Sequence, residues 1–174
     1  RRNSDNRSAI FNFQTKDQLM KDSAFAILVN QDKGNVIGPY KLGSLMYRIS
    51  KLVDIQSRPD SVEARHILIS PKANISLDSV KLIVYNLKQQ IENGGDFALL
   101  AQGISDDKSS AIKGGELGWF KEGLMVEQFN DVCFSSSDDK MKIVETQFGI
   151  HLIQVTNKSK LNKKYRIAYI DRNV

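Results

Sequence analysis

The stretch VEARHILI alternates, with Val62, Ala64, His66 and Leu68 on one face, and a period of two predicts a buried strand. Pro71 ends it, because proline has no amide proton to give a sheet ladder. From Ser76 the period lengthens. Val80, Ile83, Val84, Leu87 and Ile91 recur at helical spacing, with Lys81, Lys88 and Gln89 on the opposite side. Asn93, Gly94 and Gly95 terminate that helix, and Asp96 can cap a second, shorter one over DFALLAQGIS. The polar segment DDKSSAIKGG has room for a single helical turn and leads into a strand, ELGWF. A helix over VEQFNDVCF then puts Val126, Phe129, Val132 and Cys133 on one face. MKIVETQFGIHLIQV reads as two strands bent around Gly149, the second alternating His151, Ile153 and Val155. This order of strand, helices, strand, helix and two strands predicts an α+β domain with an antiparallel sheet.

Outside that run the pattern is weaker. RRNSDNRSAIFNFQTKDQ is polar with isolated aromatics and reads as irregular at its start, and a modest apolar run, SAFAILV, follows. GNVIGPY and SLMYRISKL read as two short strands around a turn where Gly43 can take a positive φ. Pro39 suits the end or edge of a strand better than the inside of a sheet. SRPDS, at 57–61, sets a proline among polar residues and marks the best domain boundary. The expected division is a flanking segment over 1–59, a domain over 60–158, and a linker and strand over 159–174 that leads to a further region. The strand YRIAYI could pair with the strands before Asp60 or open another domain. IGPYKLGSLMYRISK can also be laid over IVETQFGIHLIQVTN with Gly43 on Gly149, and Leu45 then stands where His151 does. Either the first segment ends a related module that lacks the histidine, or two short hairpins are alike by chance.

With 174 residues and 41% apolar content the chain can bury one real core. No stretch approaches the roughly 18 apolar residues that cross a bilayer, and no basic-then-apolar signal segment opens the chain. A start at Arg1 rather than Met is expected of a fragment. The single cysteine, Cys133, excludes an internal disulfide and a zinc site of Cys-x-x-Cys spacing, and its apolar setting predicts a buried helix residue. A net charge of +5 would suit an acidic partner. The positive charge is scattered, however, apart from Lys158, Lys160, Lys163, Lys164 and Arg166, which read as a solvated linker. No nucleic-acid-binding motif is present, so nucleic acid is not an expected partner.

The two histidines, His66 and His151, both fall on inward positions of expected strands, and read either as core histidines satisfied by hydrogen bonds or, being two on one small sheet, as a deliberate pair. No carboxylate stands at a short fixed spacing from either, so no metal is expected. Nucleophilic and phosphate chemistry find no support either. Cys133 is on an apolar helix face, no Gly-x-Ser-x-Gly elbow occurs, and KGGELG lacks a following Lys-Ser or Lys-Thr. What remains is an apolar pocket with a small polar floor. KGGELGWFKEGLMVEQFNDVCF gathers two adjacent glycines, the only tryptophan, three phenylalanines and the only cysteine. It reads either as a well-packed turn and helix or as the wall of that pocket.

Four blocks then carry a family resemblance by their order and spacing: ARHILI, DFALLAQGISDDKSSAIKGGELGWF, MVEQFNDVCF and VETQFGIHLIQV. From Asp60 to Lys158 the chain resembles the parvulin-type peptidyl-prolyl cis/trans isomerases, among them those of bacterial periplasmic foldases of the SurA and PpiD kind. The resemblance implies the FKBP superfold, an antiparallel four-stranded sheet surrounded by helices, with flanking strand and helix segments. It implies isomerisation of X-Pro bonds with no cofactor, on unfolded or extended proline-containing polypeptides such as envelope or outer-membrane proteins. It also implies a location in the periplasm or cell envelope of a bacterium. Position by position, His66 and His151 correspond to two histidines hydrogen-bonded beneath the pocket, and Thr146 to a threonine of the same network. Asp107 matches a cysteine-or-aspartate position before the glycine pair, with Asp106 as the alternative. Leu117, Met125 and Phe129 match the residues that hold the substrate's proline ring, with Phe120 nearby. On this resemblance the glycine- and phenylalanine-rich stretch is the wall of a proline-binding pocket, and the first 59 residues end a chaperone module or a degenerate parvulin-like one.

Members that require phosphoserine or phosphothreonine before proline have a basic cluster in the loop after the first strand. Here that loop, SPKANISLDS, has a single lysine, Lys72, so no phosphate requirement is expected. The alternative function is a module that keeps this fold and binds unfolded clients without catalysis. Phe148, between Thr146 and Gly149, could narrow the pocket in that direction.

Overall fold

A computed structural model describes residues 7–72, 75–135 and 141–173. The first six residues, expected to be irregular, and Ala73 and Asn74 of the loop that bears Lys72 lie outside the described residues. Strands β1 (Arg7–Ile10) and β2 (Gln14–Thr15) lead into two short helices, α1 (Lys16–Leu19) and α2 (Ser23–Leu28). Each helix is opened by a side chain that accepts from its free amides, Thr15 for α1 and Asp22 for α2, and α2 is the form taken by the apolar run SAFAILV. A hairpin of β3 (Val36–Leu42) and β4 (Met46–Pro59) follows. Next come β5 (Ser61–Ile69), α3 (Leu77–Glu92), α4 (Phe97–Ile104), α5 (Lys108–Ala111), β6 (Glu116–Lys121) and α6 (Glu127–Phe134). Then β7 (Met141–Thr146), β8 (Gly149–Lys158) and β9 (Leu161–Asn173) complete the chain. It divides into two compact units, one of the residues up to Arg58 together with those from Leu161, the other Pro59–Lys160.

In the first unit the sheet order is β1-β9-β4-β3, with β2 also on β9. Leu19, Phe25 and Leu28 of the two helices pack against Leu52, Tyr165 and Ile167 of the strands. Most of the basic cluster is therefore strand rather than linker, and Lys160 alone lies in the connection between β8 and β9. Lys158 closes β8, and Lys163, Lys164 and Arg166 lie within β9, an interior strand of its sheet in which Lys164 is buried. Pro39 sits in the outer strand β3, at a register shift between Ile37 and Tyr40, where a missing amide proton is tolerated. The β3–β4 and β7–β8 hairpins differ at their turns: Gly43 lies in a turn, whereas Gly149 is the first residue of β8.

In the second unit the strands run β6-β5-β8-β7, every pair antiparallel. This is the α+β fold expected, a four-stranded antiparallel sheet with helices on both faces. Val62, Ala64, Ile153 and Val155 pack with Phe129, Cys133 and Phe134 of α6. Ile67, Ile69, Ile150 and Leu152 turn the other way, onto Val80, Val84 and Leu87 of α3 and Phe97 and Ala101 of α4. The alternation expected of β5 and β8 is thus only half of their burial: both are interior strands covered on two faces. Ile83 departs from the expected α3 stripe and is 38% exposed, because a helix lying on a sheet hides only the residues centred on the contact line.

Two glycines let the backbone close around this core. Gly115 and Gly149 have φ of +84° and +137°. A Cβ on Gly115 would collide with the His66 carbonyl oxygen, and one on Gly149 with the Ile69 carbonyl oxygen. The Gly115 carbonyl meanwhile accepts from the His66 N–H at 2.9 Å. Gly115→Ala and Gly149→Ala are each expected to cost about 2 kcal/mol or more, from a disfavoured φ together with the collision. Urea titrations should show a lowered midpoint at unchanged slope. A variant within about 0.5 kcal/mol of wild type would mean that the close approach is not required.

Candidate active site

His66 on β5 and His151 on β8 share the α6 face of the sheet. His66 is opposite Ile153 and Leu68 is opposite His151, so the two histidines are diagonal neighbours, roughly 7–8 Å apart and within reach of ring side chains. Their Nδ1 atoms are 3.1 Å apart. The ring planes lie within 16° of each other with centroids 5.3 Å apart, which puts the rings edge to edge around a shared hydrogen bond rather than face to face.

That bond continues at both ends. His66 Nε2 is 2.8 Å from Asp107 Oδ2 and 3.1 Å from Ser110 Oγ. His151 Nε2 is 2.8 Å from Thr146 Oγ1, which accepts from the Phe148 N–H at 3.1 Å. Asp107 caps α5 and accepts from the Ser109 N–H at 3.1 Å, the Ser109 hydroxyl at 2.6 Å and the Ser110 hydroxyl at 2.6 Å. Asp106 turns elsewhere, accepting from the Ser70 N–H at 2.9 Å and pairing with Lys72 at 3.2 Å. Of the two adjacent carboxylates, Asp107 is the one that reaches His66.

Burial opposes the charge on Asp107, but hydrogen bonds from Ser109, Ser110 and His66 outweigh it and hold the carboxyl well below the usual carboxylate range. Burial, reinforced by repulsion from His66 and opposed by Asp107, pushes His151 down to about 4. At neutral pH Asp107 is therefore an anion and His151 is neutral. A carboxylate only accepts, so His66 Nε2 carries a proton. With the His151 proton on Nδ1, every partner is satisfied. The Phe148 N–H donates to Thr146 Oγ1, the Thr146 hydroxyl to His151 Nε2, His151 Nδ1–H to His66 Nδ1, and His66 Nε2–H to Asp107. All the donors point one way, toward the carboxylate.

Above this floor is an apolar cleft of about 440 Å³ walled by Leu117, Met125 and Phe129, with Leu68, Leu124 and Phe148 around them. Phe129 descends from α6 and meets both rings nearly at right angles, 5.7 Å from His66 and 5.3 Å from His151 between centroids. Leu117 arrives through a bulge. Ala64 pairs with Gly118 and Arg65 with Glu116, which leaves Leu117 as the extra residue, and Gly118 has a φ of +66°. Bulges re-aim side chains in this way. The Met125 carbonyl accepts from Asn130 Nδ2 at 3.2 Å, which fastens the loop before α6 to the helix.

His66, Asp107, His151, Leu117, Met125 and Phe129 thus line one cleft, and Thr146 stands behind His151. Phe120 does not reach the wall. It is 3% exposed and packs behind Phe129 and against Phe134. Phe148 is 52% exposed and lines the cleft. Ser109, Ser110 and Leu124 were not singled out by the sequence. The serines had a signal in the Asp-x-Ser-Ser order of a helix cap. Leu124 had none, because its position depends on how the loop folds.

A family model described as the PPIC-type PPIASE domain matches residues 47–159. The Chaperone SurA of Methylococcus capsulatus is 44% identical over 114 residues, covering 63% of this chain and 25% of that protein. The Chaperone SurA of Shewanella denitrificans is 38% identical over 143 residues, covering 78% of this chain and 33% of that protein. The chain therefore spans about a quarter to a third of these curated relatives. The crystal structure of the peptidylprolyl isomerase PrsA from Bacillus anthracis matches with a TM-score of 0.50 at 29% identity, over 61% of this chain and 45% of that one.

The floor makes stability depend on pH with a definite sign. His151 falls from an ordinary value of 6.5 to about 4 on folding. Between those values the unfolded chain binds more protons, so stability drops as the pH falls through this window. Asp107 acts in the same direction lower down: its contribution is complete above the ordinary carboxylate value and is lost as the pH falls through its depressed one. The His151 shift corresponds to on the order of 3 kcal/mol. Denaturant titrations are expected to show stability declining from pH 6.5 toward about 4, with a flatter profile in His151→Asn. Equal slopes in the two proteins would exclude His151 as the titrating group.

Proposed function

Because the chain belongs to the PPIC-type peptidyl-prolyl isomerase family, we propose that its histidine-floored cleft isomerises X-Pro bonds of unfolded or extended polypeptides. The reaction makes and breaks no covalent bond. Its barrier is the loss of amide resonance, about 18–20 kcal/mol, and the unassisted change takes tens to hundreds of seconds. Catalysis therefore means holding the twisted amide better than either planar isomer.

Leu117, Met125 and Phe129 would take the prolyl ring out of water. A planar amide owes part of its stability to charge separation, negative at oxygen and positive at nitrogen, which water supports. An apolar cleft withdraws that support, and the twisted amide, having already lost its resonance, loses less by the move. In this reading Asp107 is a positioning residue that holds His66 and cannot itself give a proton. Thr146 does the same for His151. The observation that most supports the reading is the unbroken run of hydrogen bonds from the Phe148 N–H through Thr146, His151 and His66 to Asp107, lying at the base of the apolar cleft.

The substrate needs no phosphate in this reading, since the one lysine of SPKANISLDS is already paired with Asp106. The likeness to parvulin-type foldases extends the proposal to unfolded envelope proteins as clients and to the periplasm or cell envelope as the location. No cofactor enters it.

The test is exchange NMR on a non-phosphorylated Ala-Pro or Leu-Pro peptide. Wild type should accelerate exchange, while Met125→Ala and His151→Ala, verified as folded by circular dichroism, should each be slower, Met125→Ala by about tenfold or more given the free energy of burying one apolar side chain. Phosphoserine before the proline should bring no gain. Binding of the peptide by wild type without faster exchange would make this a binding module in an isomerase fold.

A further inference from the structure

We propose that the open face of the first unit's sheet is a docking surface for an amphipathic helix of a second protein, one whose apolar stripe is flanked by aspartate and glutamate. The inference is independent of the isomerase reading.

The two sheets follow one plan. In the second unit β5 and β8 are interior, with the hairpin β7–β8 on one side and β6 on the other. In the first unit β9 and β4 take the interior places, with the hairpin β3–β4 on one side and β1 and β2 on the other. Helices follow the outer strand in both, α6 after β6 and α1 and α2 after β2, and pack on one face. The plans part at the opposite face. In the second unit α3 and α4 cover it; in the first, among the described residues, no helix does.

Leu52 and Ile167 point toward α1 and α2, so alternation turns Tyr47 and Ile49 of β4 and Ile170 of β9 the other way. Register adds Ile10, opposite Ala168, and Val36, opposite Lys51. These five side chains are between 39% and 60% exposed. An antiparallel sheet with one wet face ordinarily sets apolar residues inside and polar ones outside. Strand propensity accounts for a single isoleucine or valine in water. It does not account for a large apolar side chain on each of the four strands β1, β9, β4 and β3, which together make the contiguous patch of a contact surface.

Two observations define the occupant. Its form follows from the second unit, where Val80, Val84 and Leu87 of α3 pack on Ile67, Ile69, Ile150 and Leu152. A helix with apolar residues at three- and four-residue spacing therefore fits this face of a sheet so ordered. Its charge follows from the rim. Lys41 stands opposite Tyr47, Lys51 opposite Val36, and Arg172 two residues beyond Ile170, all on the open face. Asp171, the acidic residue beside them, points to the helix side, where Arg48 donates to it at 2.7 and 2.9 Å. A cationic rim attracts carboxylates and repels an identical face, which argues against a second copy stacked on this one.

The probe is a synthetic peptide of about 18 residues, long enough to hold a helix, with leucine along one stripe and glutamate on its flanks. One control has the same residues in scrambled order, and another has lysine in place of glutamate. Amide NMR of the 174-residue chain locates binding, and calorimetry at low and high salt measures it. The acidic helix should shift amides around Tyr47, Ile49 and Ile170 and bind about tenfold or more tighter than either control. Ile49→Asp and Ile170→Asp, both at exposed positions and verified as folded by circular dichroism, should each weaken binding by about tenfold or more. Lys51→Glu should weaken it more at low salt than at high salt. Absence of binding, equal binding of the scrambled peptide, shifts confined to other residues, or unchanged affinity in both aspartate variants overturns the proposal. So does concentration-dependent dimerisation that shifts the same amides, which would make a second copy the occupant. Phosphatidylglycerol vesicles shifting those amides while the helix does not would make the face a membrane surface and likewise overturn it.

Discussion

The hydrogen bond between the Nδ1 atoms of His66 and His151 is the constraint around which the second unit is built. Two buried imidazoles facing each other through nitrogen need one donor and one acceptor, and a buried polar atom left without a partner costs about 1–3 kcal/mol. Neither ring can settle this alone. The carboxylate of Asp107 demands a proton on one side of His66, and the Thr146 hydroxyl, itself oriented by the Phe148 N–H, offers one to the far side of His151. The ends of the chain therefore decide its middle. Ser109 and Ser110 belong to the same logic, because their hydrogen bonds, with that of His66, outweigh the burial that opposes the Asp107 charge.

A diagonal contact of this kind is sensitive to strand register. A slip of one residue between β5 and β8 would turn one histidine toward α3 and α4 and replace it with an isoleucine or leucine from the other face. The backbone features that guard the register are also those that shape the pocket. Gly149 starts β8 against the Ile69 carbonyl, Gly115 brings the segment after α5 against His66, and Gly118 makes the bulge that delivers Leu117. Floor and wall are consequently positioned by main-chain geometry that admits no side chain at two of these three points.

This division explains what could be read in advance. Alternation alone puts His66 beside Val62 and Ala64, and His151 beside Ile153 and Val155, so the shared face of the histidines was legible without any knowledge of the fold. The second buried face was not, because Ile67 and Leu152 owe their burial to α3 and α4, whose packing onto that face is not encoded in the alternation of the strands. Lys164 was misread for the same reason, since a basic run looks like a linker until β9 has neighbours on both sides. Leu117, Met125 and Phe129 follow no single period: one sits on a bulge, one in a loop and one on a helix. Only family resemblance could join them. Asp106 and Asp107 could not be separated in the sequence, since consecutive loop residues face different partners once the backbone is set.

A polar floor beneath an apolar cleft is an expensive arrangement for a folded chain, and its form bears on the chemistry proposed for it. General acid or base catalysis favours a group that titrates near the working pH. Here His151 is held neutral down to about 4 and Asp107 is held anionic, the opposite of a poised proton donor. A rotation that transfers no proton asks for something else, a surface whose dipoles do not reorganise while the amide turns. Phe129 connects that surface to the wall. Its ring touches both imidazoles at right angles while its other side faces the cleft. In the reaction proposed, a prolyl ring resting on Phe129 would be positioned by the same β5–β8 register that fixes the histidine pair, and the hydrogen-bonded chain would contribute by keeping still.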